Sequence, residues 1–123
     1  MMTATDIRMC VADAMQDDEI ESIDSVLRML NNDSDSSWRA ARGKEFSNAE
    51  VRAALKELLA AGMVTPCAEL PTSGDCAPVP IEKVETVFSI ESLWFHLERS
   101  GRDAVREWWD SVGKTKFPLE RTG

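Results

Sequence analysis

Nothing in this chain approaches the roughly 18 consecutive apolar residues that a membrane-crossing helix needs, so the expectation is a protein without a membrane partner. Basic residues are in short supply: 14 Lys and Arg face 22 Asp and Glu, for a net charge of -8. Nonspecific nucleic-acid affinity rests on clustered Lys and Arg, and this balance works against it. Cysteine is sparse and odd in number. Cys10, Cys67 and Cys76 match the spacing of neither a zinc ribbon nor a redox CxxC pair, and three reduced thiols are expected. The sharper alternative is that Cys67 and Cys76 staple a hairpin or share a metal with His96, which would supply at most three soft ligands. Histidine is reduced to His96 alone, inside the apolar run LWFHL, where it reads as a packed or edge residue with no assigned nucleophile beside it. The carboxylates fall in surface runs, and no pair stands out as a poised acid and base. The sequence therefore predicts no enzyme, no metal and no cofactor. Asp6, Arg8 and Asp13 interrupt the first fifteen residues, which lack the apolar core of a secretory signal; a cytoplasmic protein is the expectation.

What is present is ordinary globular material: 123 residues, 43% apolar and 29% charged, enough for one domain with one core. A first helix is expected from about Thr5 to Met15, with Ile7, Val11, Ala14 and Met15 as its buried stripe. A second follows from about Ser22 to Leu30, burying Ile23, Val26, Leu27 and Leu30. Asn31 to Phe46 reads as a sixteen-residue loop insertion, long enough to be functional or mobile, with Trp38 as its anchor at the core edge.

The clearest local signal is at the third helix. Ser47 and Glu50 form an S-x-x-E capping box, Phe46 and Val51 are placed as a hydrophobic staple, and Gly62 sits at the left-handed cap position. Those signals predict a helix from Asn48 with Val51, Ala54, Leu55, Leu58 and Leu59 inward, followed by a strand in MVTPCAEL. Pro71 to Pro80 is expected to be a loop tip. Ile81 to Ile90 and Leu93 to Leu97 favour strands. A last helix is expected over Gly101 to Val112, burying Val105, one of Trp108 and Trp109, and Val112. The domain core then spans about residues 5 to 112, and the tail 113 to 123 is expected to fray.

The stretch FSNAEVRAALKELLAAGMV resembles the recognition helix and first wing strand of bacterial winged helix-turn-helix regulators. LWFHLERSGRDAV resembles the second wing strand and following helix of that superfamily, with Glu98 standing where Thr or Ser is common. The resemblance implies a single winged-helix-like domain, mainly α with a small β-hairpin wing, whose third helix enters the major groove of DNA.

Charge distribution bears on that implication. Residues 1 to 37 hold nine acids against two bases, whereas residues 38 to 56 hold five bases against two acids. Stepping 100° per residue from Val51 places Ala49, Ala53 and Ala60 directly away from the core, with Asn48, Arg52 and Lys56 along one flank. Asn48 and Arg52 are the candidate base readers, and Arg39, Arg42, Lys44 and Lys56 the candidate phosphate contacts. The plainer reading of the same flank is solvated surface with ordinary ion pairs. The leading expectation is a DNA-binding regulator-like module, with duplex DNA as partner and a homodimer through Trp108 or Trp109. The alternative is an acidic winged-helix protein-interaction module, an adaptor, inhibitor or immunity-type protein, without DNA binding.

Overall fold

Thr3 starts the first helix with a reciprocal cap. Its hydroxyl accepts from the Asp6 amide at 3.1 Å, and the Asp6 carboxylate accepts from the Thr3 amide at 2.9 Å, which pairs two donors that a helix N-terminus otherwise leaves open. The computed structural model describes residues 2–17, 20–34 and 37–117, and this helix, α1, spans Ala4–Ala14. Its buried residues include Met9, Cys10, Val11 and Ala12, while Ile7 and Ala14 are only half-buried. The single stripe expected of it is widened because α1 packs against more than one helix. Ser22 caps α2, Ile23–Leu30, by accepting from the Ser25 amide at 3.2 Å. Ile23, Val26 and Leu30 are buried there and Leu27 half-buried.

The connection from Asn31 to Phe46 is not the bare loop insertion expected. It contains a short helix, α3, Trp38–Arg42, capped by Ser37. Asn31 closes its base with two hydrogen bonds, donating to the Phe46 carbonyl at 2.8 Å and accepting from the Phe46 amide at 2.7 Å. Trp38 is buried and donates its indole N–H to Asp13 at 2.7 Å. Asp35 and Ser36 lie outside the described residues.

Helix α4, Asn48–Ala60, has the predicted start: Ser47 and Glu50 exchange both capping-box hydrogen bonds, at 3.0 and 3.1 Å. At its other end Gly62 has φ of 71°, and the amides of Gly62 and Met63 bond the carbonyls of Leu59 and Leu58. That is a Schellman ending, which needs the left-handed conformation glycine adopts without strain.

The chain reverses into a three-stranded antiparallel sheet of β1, Val64–Glu69, β2, Cys76–Pro78, and β3, Trp94–Leu97, in the order β2-β1-β3. Pro66 sits in the central strand without breaking it. It stands opposite Phe95, whose amide and carbonyl bond Glu21 on the other side at 2.8 and 2.9 Å. The Pro66 carbonyl still accepts from the Val79 amide at 2.9 Å, so the ring forfeits one donor towards an edge. Glu21 thereby adds a bridge to the sheet outside β3.

Several expectations are corrected here. Cys67 and Cys76 are joined as a disulfide with Cα atoms 5.5 Å apart, and Cys10, outside that cross-link, is buried; the antiparallel pairing of β1 with β2 sets Cys67 opposite Pro78 and Cys76 opposite Glu69, which makes the two cysteines diagonal neighbours two residues off register. That same β2 lies inside the proline-rich stretch expected to be all loop, which tolerates it because it is a short edge. Ile81 to Ile90 is not a strand. It forms a 3-10 turn at Ile81–Lys83, a tight turn with Glu85 at φ of 69°, and a second 3-10 turn from Ile90. The final helix, α5, runs Arg99–Trp108 and continues through a wider π turn at Trp109–Gly113, which leaves Val112 exposed rather than buried. The expected frayed tail is helical at Lys114–Lys116, α6, and buries Phe117; residues 118–123 lie outside those described. The architecture is thus a single α/β domain with a three-stranded sheet, broader than a mainly α domain with a hairpin.

Phe117 is held because three tryptophans meet there. Trp38 lies 5.8 Å from Trp108, 6.0 Å from Trp109 and 6.0 Å from Phe117 between ring centroids. Beneath them Asp6, almost fully buried, accepts from the Trp108 indole at 3.1 Å and from Lys116. Burial pushes the Asp6 carboxyl up, and the hydrogen bonds from Lys116, Thr3 and Trp108 together hold it below the usual carboxylate range. Both ends of the described chain are therefore fastened to one carboxylate.

Candidate functional site

The expected reading surface is the outer side of α4 and the basic stretch before it. Val51, Ala54, Leu55, Leu58 and Leu59 are buried, while Ala49, Ala53 and Ala60 are exposed, so the helix presents the predicted alanine face. Its cations are arranged differently from a free basic patch.

Arg39 lies 3.0 Å from the Asp33 carboxylate and 3.7 Å from that of Glu45. Arg42 is drawn inward. Its side chain is only 8% exposed, its guanidinium lies 4.6 Å over the Phe46 ring, and it donates to both oxygens of Glu50, through Nη1 at 3.0 Å and through Nη2. The paired hydrogen bonds from Arg42 hold the Glu50 carboxyl at about 2; partial burial works against this and the Ser47 amide adds to it. A bidentate pair of this kind fixes both side chains. Arg52 pairs with Glu91, and its Nε is buried without a hydrogen-bond partner among the described residues. Lys44 and Lys56 are exposed, and among the described residues neither has an ion-pair partner.

Of the six predicted contacts, the structure thus leaves Lys44 and Lys56 exposed and Asn48 half-buried, none of them paired with a carboxylate among the described residues, and gives each arginine an acidic neighbour. Glu50 had a visible signal, since its capping position was read, but its second role as the Arg42 partner needs the geometry of α3. Glu91 lies 39 residues from Arg52, and no local pattern marks it.

Beside the alanine face, Ala4 and Ile7 of α1 and Glu50, Ala53, Ala54 and Glu57 of α4 line a shallow groove of about 130 Å³. Glu57 is paired with Arg8 at 3.3 Å. His96 lies half-buried on β3 with Nε2 4.0 Å from Glu98. Glu98 precedes α5 but does not cap it with its side chain; the carboxylate accepts from the Thr65 hydroxyl at 2.7 Å instead. Among the described residues no group of three or more His, Cys, Asp or Glu is placed to hold a metal ion, and no helix is long and apolar enough to cross a membrane. No protein-family model, curated protein or solved structure matches the chain.

Proposed function

We propose that this chain is a winged-helix-like module that binds a basic protein partner through the alanine face of α4. The observation that carries the reading is that Arg39, Arg42 and Arg52, the arginines of the basic stretch, each lie against a carboxylate of their own chain. A phosphate contact would have to displace those carboxylates, and for the largely buried Arg42 it would also leave Glu50 unpaired. With the arginines neutralised, what α4 offers is small apolar surface on a molecule of net charge -8. Exposed alanines beside an apolar groove admit a partner helix at close range, and the acidic surplus favours a basic one.

The winged-helix reading is supported by the order α1, α2, α4, β1, β3, α5, by the direct passage of α4 into β1, and by the Glu21 bridge outside β3. The Cys67–Cys76 cross-link suits an oxidising compartment better than the cytoplasm, so the cytoplasmic expectation is not carried forward. Duplex DNA is the second reading, favoured by the exposed Lys44 and Lys56. The homodimer that would accompany it draws no support from Trp108, which is buried, or from Trp109, which packs edge-on against Trp38.

The test is a fluorescence-anisotropy titration of a labelled amphipathic helical peptide rich in Lys and Leu. The wild type is expected to bind it saturably at low salt, and Ala53→Arg, at an exposed helix position, to weaken binding about tenfold or more. Equal binding by the variant, or no binding by the wild type, overturns the proposal.

A further inference from the structure

Along α5 the charge also turns locally basic. Arg99, Arg102 and Arg106 follow one another along α5 at spacings of three and four residues, and Trp109 continues the line by three more, so all four lie on one face. With Gln16, Asp103 and Val105 they line a cavity of about 510 Å³, within the roughly 300–1,000 Å³ that small-molecule pockets occupy. Among the described residues of this wall, Arg99, Arg102 and Arg106 stand beside the carboxylate of Asp103.

The groups are positioned for different tasks. Arg102 donates from Nη1 to the Gln16 carbonyl just past the end of α1, which ties two of the lining residues together. Arg106 is paired with Asp103 at 3.0 Å, with both side chains more than half exposed, and an exposed pair of that kind is readily exchanged for another anion. Arg99 is exposed and makes no hydrogen bond or ion pair among the described residues. Trp109 is half-buried, with ring contacts to Trp38 and Trp108, and its indole forms part of the pocket wall.

We infer that this pocket binds a small organic anion in which a carboxylate or phosphate is joined to a flat apolar ring. Arg99 and Arg106 grip the oxyanion by charge-assisted hydrogen bonds, for which the planar guanidinium fork is suited. The ring lies against Trp109, where stacking favours it. The pocket is independent of the α4 face, and its success or failure leaves the protein-partner reading untouched.

The experiment follows the indole N–H signals of the intact protein by NMR during titration with phenyl phosphate, benzoate and inorganic phosphate, with the Trp109 signal assigned through Trp109→Phe. Phenyl phosphate or benzoate is expected to shift the Trp109 signal saturably, and inorganic phosphate to bind more weakly. The double variant Arg99→Ala/Arg106→Ala, whose side chains are exposed and whose melting point should be unchanged, is expected to bind at least about tenfold more weakly. Absence of a saturable shift up to about 20 mM, well beyond the affinity of a weak specific site, overturns the inference. So does equal affinity in the double variant, or inorganic phosphate binding as tightly as phenyl phosphate.

Discussion

Glu50 performs two jobs with one carboxylate: as the third residue of α4 it accepts a hydrogen bond from the Ser47 amide, and it accepts both arms of Arg42. The consequence is a pH dependence with a definite sign. Its folded pKa of about 2 lies below the ordinary 4.5, so the stabilisation is fully present above about pH 4.5 and is lost as the pH falls towards 2. Chemical denaturation at pH 6 and pH 3 should show a loss of stability in the wild type, and Glu50→Gln should narrow that loss; an unchanged gap would mean that Arg42 does not hold the carboxylate. Arg42→Ala should act on stability at neutral pH as well, by roughly 1–3 kcal/mol, because it leaves a partly buried carboxylate without its partner. Both roles were only half legible in the sequence. The S-x-x-E spacing is local and betrays the cap, whereas the Arg42 contact depends on α3 folding inside a segment whose Asn, Asp and Ser content reads as loop. Arg52 and Glu91 were less legible still, since the turn that carries Glu91 is irregular and has no period to read.

Elements whose ends are set by local chemistry were the ones the sequence predicted well. The start of α4 at Asn48 and its end before Gly62 follow from residues within four positions of each. Ser47→Ala should therefore cost roughly 1 kcal/mol by removing the acceptor for the Glu50 amide, measured by urea denaturation; a change near zero would show that the cap contributes nothing. Where β-branched and aromatic residues were read as a strand, over Ile81 to Ile90, the structure gives turns, because strand propensity needs a paired and partly buried surface and Val87 is 67% exposed. The junction of β3 with α5 shows the opposite case, a close approach that no propensity reveals. A Cβ on Gly101 would lie 2.8 Å from the Met63 carbonyl oxygen and 2.5 Å from a Leu97 methyl. Gly101→Ala should then destabilise by about 1–3 kcal/mol despite alanine's higher helix propensity; thermal unfolding that shows a gain in stability would contradict this packing.

At the scale of the whole molecule, covalent and charge organisation depend on which distant segments meet. The disulfide is one example: the sequence leaves a Cys67–Cys76 hairpin staple as the alternative to reduced thiols, and the β1–β2 register decides for the staple. Thiol titration of the unfolded, non-reduced protein should find one reactive thiol, that of Cys10, and three after reduction; three before reduction would remove the cross-link. The basic island is the other example. Its charge is real in composition, yet Asp33, Glu45, Glu50 and Glu91 surround its arginines in the fold. A formal excess of cations over a short stretch of chain was legible, and its internal neutralisation was not. The most direct measurement is an anisotropy titration of labelled random duplex DNA at low salt, where even weak electrostatic affinity would be seen. No saturable binding is expected at about 10 µM protein, within the usual range of nonspecific affinity. Saturable binding that falls steeply with salt and is weakened by Arg39→Ala would show that the island's charge is available to phosphates and would contradict the account.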